Sequence, residues 1–147
     1  MKNIENKTIP EQIVIVSHLL EFMANKMVLE PLGLTMSGYK IMHILDEHGS
    51  VAISRVITCL GSTKSNVSQR LSFLEKNGFV KRSSGDGDDK RTVLVVLTEK
   101  GKKKLKEARL VLEKKSLKFD ELFSEKELKS VSGFLNKVFD KLIINLK

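Results

Sequence analysis

Between Leu60 and Gly101 the chain reads LGSTKSNVSQRLSFLEKNGFVKRSSGDGDDKRTVLVVLTEKG, and this stretch leaves few folds open. A turn leads into a short helix, the helix into a hairpin, and the hairpin into a long basic helix. Gly61 ends the preceding helix, because glycine reaches positive φ without a Cβ clash. Ser62 or Thr63 caps the next helix by accepting a hydrogen bond from a free first-turn N–H. Val67, Leu71 and Leu74 then recur at spacings of four and three, which is one helical face. The opposite face carries Ser65, Gln69, Ser72 and Lys76, flanked by Asn66, Ser68 and Phe73. Asn77-Gly78 is a stop signal.

An ordinary amphipathic surface helix would share that apolar stripe. Its exposed face would normally mix Glu with Lys. Here the face is made of hydroxyls and amides, short neutral groups that suit base edges and phosphates. Two β-prone runs follow, Phe79 to Arg82 and Thr92 to Leu97. The loop between them, Ser-Ser-Gly-Asp-Gly-Asp-Asp-Lys-Arg, is rich in turn formers. A helix–turn–helix followed directly by such a hairpin is a winged helix. The hairpin tip is mixed in sign, with Asp86, Asp88 and Asp89 against Lys90 and Arg91. Such a tip serves to discourage edge-to-edge aggregation, or to carry an Arg into a minor groove.

At these residues the chain resembles the MarR family of bacterial transcriptional regulators. The carrying segments are Leu60-Gly61, Ser65 to Val67, Leu74 to Val80, the Asp-x-Arg of Asp89-Lys90-Arg91, and Leu97-Thr98-Glu99-Lys100-Gly101. The last two, at that separation after the helix, are the most specific. The resemblance implies a dimeric winged-helix DNA-binding protein, usually a repressor, often released by a small ligand or by oxidation. The fold expected is mainly α (α+β): a winged helix-turn-helix core over 35–98, an N-terminal dimerisation arm over 1–34, and C-terminal dimerisation helices over 99–147. DNA-binding residues would be Lys64, Ser65, Asn66, Ser68, Gln69 and Arg70 on the recognition helix, with Asp89 and Arg91 on the wing. The chain departs from the family in three places. Gly38 stands where a Gln or Glu is usual, Ile57 replaces a small residue, and Ala52 occupies a capping position.

A length of 147 residues suits one domain, or one DNA-binding unit with dimer arms. A net charge of +8 favours a polyanionic partner. The single cysteine, Cys59, argues against a disulfide framework and fits a reducing cytoplasm. No apolar run approaches a membrane span of ~18 residues, and the N-terminus lacks a signal pattern.

The first eight or so residues read as a frayed leader. Pro10 opens a first helix with a stripe of Ile13, Val16, Leu20, Met23 and Met27. That stripe packs on the core or on a helix of a second chain. A second helix runs from Thr35 or Ser37 to His48, and Val51 to Ile53 forms a short strand before a third helix, Ser54 to Leu60. After the wing a helix is expected from Glu99 to about Glu121, with Leu105, Ala108, Leu112 and Phe119 inward. Between 99 and 118 it holds nine Lys or Arg against three Glu, a solvated face or a phosphate contact near its start. Ser124 and Glu127 form a capping box for a last helix with Leu128, Val131, Leu135, Val138 and Leu142 in register. The two striped terminal helices suggest a homodimer that binds a palindromic operator in double-stranded DNA.

Catalytic patterns are missing: no nucleophile–base pair and no glycine-rich phosphate loop. No cofactor is implied. His43 and Glu47 share a face, but zinc wants four ligands and the rest are not in evidence, so no metal is expected. Cys59 reads as a small buried hydrophobe. His18, Phe22, Met36, Tyr39 and His43 either belong to the core or line a cleft for an aromatic or phenolic effector. The alternatives to a sequence-specific regulator are a winged-helix protein–protein module, a zinc- or redox-sensing regulator, and a non-specific DNA-compacting protein.

Overall fold

The computed structural model describes residues 3–84, 92–115 and 118–145. The chain forms two compact units, Met1–Lys115 and Ser116–Lys147.

The first unit begins with α1, Ile9–Ala24. Its start is firmer than the composition of the leader suggests. Glu11 accepts hydrogen bonds from both the backbone N–H and the hydroxyl of Thr8, at 2.8 Å each. Those bonds hold the Glu11 carboxyl below its ordinary pKa. A π-helical turn, Asn25–Leu29, and a 3-10 turn, Glu30–Leu32, continue the helix. Together Ile9–Leu32 make 24 residues that hold an 18-residue window of mean hydropathy 1.3, long and apolar enough to cross a membrane by length and composition alone. The core helix of a soluble protein passes the same test, and no uninterrupted apolar run of ~18 residues is present. Glu11, Glu21, Lys26 and Glu30 interrupt the segment, each costly in lipid.

Helix α2, Met36–His48, is capped by the Thr35 hydroxyl, which accepts from the Gly38 N–H at 3.1 Å. Gly38 is buried, and a Cβ there would meet Thr35 Oγ1 at 3.3 Å and Leu74 Cδ2 at 3.5 Å. A Cβ at Gly38 would thus press on the capping hydroxyl of Thr35, while its distance to Leu74 is that of ordinary contact. Strand β1 is Val51–Ala52 and helix α3 is Ile53–Leu60, with Ala52 at its N-cap and no side-chain cap bond. Ile57 packs half-buried against the core. Gly61 takes the left-handed conformation, φ 57°, that starts the turn. Helix α4 is Lys64–Lys76, β2 is Val80–Ser84 and β3 is Val93–Leu97.

The three strands form an antiparallel sheet in the order β1-β3-β2. Val51 pairs with Val95, and Val80 with Leu97. One core runs under the helices and sheet, built on Ile41, Met42, Leu45, Val56, Leu71 and Leu74 among others.

Helix α5, Glu99–Lys115, is shorter than its sequence suggests. The chain is not helical at Lys118, and a separate short helix α6, Phe119–Leu122, follows. Leu105 and Ala108 are buried and Leu112 half-buried, as the periodicity requires. In the second unit α7, Glu125–Asn145, opens on the expected capping box. Glu127 accepts from the Ser124 N–H at 2.8 Å and its hydroxyl at 2.6 Å, which lowers the Glu127 pKa.

The end of α4 is knotted to the start of α5. Thr98 donates its hydroxyl to the Gly78 carbonyl at 2.6 Å, and its N–H to the Phe79 carbonyl at 3.0 Å. Its oxygen also caps α5 by accepting from the Gly101 N–H at 3.0 Å. Gly101 is buried, and a Cβ there would fall 2.0 Å from the Phe79 carbonyl oxygen. That oxygen is held by backbone and cannot swing aside. Gly101→Ala should therefore destabilise the protein by roughly 1–3 kcal/mol or more, read as a lower urea midpoint at unchanged m-value. A wild-type midpoint would contradict this packing.

Candidate nucleic-acid interface

Helix α4 presents its polar side to solvent because its apolar side is used up. Val67, Leu71 and Leu74 are fully buried, facing α2, α3 and the sheet. The Thr63 hydroxyl accepts from the Asn66 N–H at 3.3 Å and so fixes where the helix begins, choosing Thr63 over Ser62 as the cap. Lys64, Ser65, Asn66, Ser68, Gln69 and Arg70 are all exposed, as the sequence anticipates. Their helical spacing splits them into flanks. Ser65 and Gln69 point directly away from the core. Arg70 turns toward α2, where it lines a polar cleft of about 210 Å³ with Ser37, Lys40, Ser62 and Asn66. Lys64 lies at the other side, lining an open groove with Ile53, Ser54, Ile57, Thr92 and Val93.

The helix N-terminus carries partial positive charge and is uncrossed by any first-turn carboxylate. Glu75 is the one carboxylate in α4, and it sits 3.6 Å from the Arg82 guanidinium of β2. The outward face is thus free of negative charge. It offers hydroxyl and amide groups, with Gln69 long enough to donate to N7 and accept from N6 of an adenine edge.

Asp89 and Arg91, the expected wing contacts, lie outside the described residues, as do Asp86, Asp88 and Lys90. The hairpin that carries them is present as β2 and β3.

The basic run of α5 is partly spent within the fold. Lys100 donates to the Asn77 carbonyl at 2.8 Å and lies 5.4 Å from the centre of the Phe79 ring. Lys102 and Lys104 pair along the helix with Glu99 and Glu107. Arg109 reaches α2 and donates to Asp46 at 2.7 Å, a bond that raises its pKa above the ordinary value. Lys115 donates to the Met27 carbonyl at 3.1 Å.

The proposed effector residues are only partly gathered. Tyr39 and His43 meet edge to face, ring centres 6.2 Å apart, and line an apolar groove of about 240 Å³ with Lys40, Ile44, Cys59 and Leu60. Met36 is half-buried against the core. His18 and Phe22 are exposed on α1 and do not line that groove. Cys59 is exposed, not buried, because so short a helix buries only one face. His43 Nδ1 lies 3.4 Å from Glu47 Oε1, and among the described residues no group of three metal-type ligands forms.

One interface residue escapes a reading of the sequence. Arg82 leaves the wing and donates to Ser72 Oγ at 3.2 Å and the Ser68 carbonyl at 3.4 Å. Alternation along β2 holds the signal: Val80 is buried beneath α4, so Arg82, two residues on, faces the same way.

Comparison with known proteins agrees with this geometry. A winged helix DNA-binding domain family matches residues 39–115. The HTH-type transcriptional regulator YwoH of Bacillus subtilis (strain 168) is 34% identical over 116 residues, covering 79% of this chain and 80% of the relative. YfiV, another HTH-type transcriptional regulator of that organism, is 40% identical over 72 residues, which cover 49% of this chain and 44% of the relative's length. A mutant of MarR from E. coli, complexed with operator DNA, superposes with a TM-score of 0.76 at 21% identity, over 93% of this chain and 99% of that one. The chain belongs to the winged helix DNA-binding family of transcriptional regulators, and its fold is that of the MarR proteins.

Proposed function

We propose that the protein is a homodimeric repressor that sets two α4 helices into a palindromic operator. The observation that carries this reading is the exposed α4 face, polar, uncharged at its centre and cleared of carboxylate. Ser65, Asn66, Ser68 and Gln69 read bases. Arg70 adds a contact from the α2 side, and Lys64 takes phosphate. The MarR mutant bound to operator DNA supports this use of the fold. On the wing, Arg91 enters the minor groove, where a flat, weakly hydrated guanidinium is favoured, and Asp89 orients it.

Exposed apolar surface supports the second copy. No residue of α1 is buried, and Val14, Leu19, Leu20, Phe22 and Met23 are at least 40% exposed. On α7, Val131, Phe134, Leu135, Phe139 and Leu142 are exposed by 44% or more. Faces of this kind mark association sites on soluble proteins. Two-fold pairing of the terminal helices covers them and spaces the two α4 helices by about one DNA turn, ~34 Å. The apolar groove at Tyr39 and His43 takes a small aromatic or phenolic effector that releases DNA. The protein acts in the cytoplasm without a membrane partner and without enzymatic chemistry.

Gln69→Ala should cost about 1–3 kcal/mol at one base position of the site selected from a random duplex pool, and little elsewhere. An equal loss on unrelated DNA would make Gln69 a backbone contact. Leu135→Asp should turn the dimer to monomer in sedimentation at micromolar concentration, since a carboxylate buried at a helical seam is costly. An unchanged oligomeric state would remove α7 from the interface. Arg91→Ala should weaken operator binding and leave melting temperature and dimerisation unchanged, with Asp89→Ala weaker in the same direction. If both bind like wild type, the wing contributes no contact at its tip.

A further inference from the structure

We propose that Arg82 is a positioning residue, a clamp that fixes the wing against one flank of α4 and so decides which α4 side chains reach the bases. The proposal rests on α4 being the reading helix. Ser68, Ser72 and Glu75 follow one another along a single flank of α4, at spacings of four and three. One guanidinium touches all three. Its Nη2 donates to Ser72 Oγ at 3.2 Å and to the Ser68 carbonyl at 3.4 Å, and its Nε lies 3.6 Å from Glu75 Oε2. The Nε is buried and has no hydrogen-bond partner among the described residues, so the charge of Glu75 is what faces it. Arg alone suits this place. Its planar fork directs several donors from one rigid head, whereas Lys is a point charge on a flexible stem.

Three consequences follow for readout. The Ser72 hydroxyl, outward by helical spacing, is engaged by the wing. The carboxylate of Glu75 is neutralised beside a surface that must accept phosphates. The wing strand β2 is fastened to α4 over two helical turns, so this strand and the base-reading helix move as one body. The bases are left to Ser65, Asn66, Ser68 and Gln69, whose side chains the clamp does not engage, toward the N-terminal end of the exposed face.

The test uses the full-length protein and two probes: the duplex that wild type selects from a randomised pool, and an unrelated duplex of equal length. Binding is followed by fluorescence anisotropy across a range of salt concentrations. Selection of a consensus by wild type tests the reading of α4 before any variant is made, so the two failures are told apart. R82K keeps the charge and loses the fork. It should weaken binding to the selected duplex by about tenfold, the order of one misread base pair. Binding to the unrelated duplex and the salt slope should stay as in wild type. S72A replaces an exposed helical Ser by the best helix former and will fold. It should lose part of the same specificity. The double variant R82K/S72A should lose no more than R82K alone, because the partners act as a pair. Equal loss on both duplexes, with the salt slope reduced by about one, would make Arg82 a phosphate contact and overturn the clamp. So would wild-type binding by R82K, or losses that add in the double variant.

Discussion

The three contacts of Thr98 hold the ends of two helices and the edge of a sheet in one place. Its hydroxyl closes the C-terminus of α4 through Gly78 and opens α5 through the N–H of Gly101, while its N–H takes the Phe79 carbonyl. Lys100 adds a bond to Asn77 and covers the Phe79 ring. The arrangement admits no Cβ at Gly101. The segments Leu74 to Val80 and Leu97 to Gly101, separated by the whole wing, thus form a single structural unit. It sets the direction in which α4 leaves the core, the base of the hairpin and the course of α5. The recognition face can be rigid because its supports are backbone-level bonds, and rigid elements hold a site more closely than loops do.

Charge is divided between approach and readout. The excess of basic residues concentrates in α5, where several are tied to Glu, Asp or backbone carbonyls. Ion pairing cancels the paired charges at long range, and the field that remains is that of the excess basic residues, +8 over the chain. That field steers a polyanion toward the protein without naming a sequence. The face of α4 is nearly neutral, and its hydroxyls and amides are the groups that tell one base pair from another. On the proposed function, affinity and selectivity would rest on different elements of one small fold.

Much of this was legible in the chain. Gly61 and Asn77-Gly78 bracket α4, the spacing of Val67, Leu71 and Leu74 names its buried side, and the β-prone runs give a hairpin whose strands pair as the register requires. The unread parts depend on tertiary neighbours. Arg82 looks like an ordinary strand residue until Ser72 and Glu75 are brought beside it. Gly38 looks like a weakness in α2, but it is buried and its N–H donates to the capping Thr35 hydroxyl, which a Cβ would crowd. Lys118 is not helical, although the charge pattern of α5 runs on to it. Cys59 looks buried by residue type, yet it falls on the open side of a helix of 8 residues. Pro10 marks the opening of α1, and Thr8 and Glu11 fix that start by a local pair of bonds that the sequence reading passes over.

The central claim is that the exposed face of α4 reads base edges in the major groove. Dimethyl sulfate protection on the duplex selected by the protein addresses it directly, because guanine N7 opens to the major groove and adenine N3 to the minor groove. The account predicts protection of N7 in two patches about one helical turn, ~34 Å, apart, with N3 protected at the flanks where the wings lie. Tight binding with every N7 left reactive would contradict it.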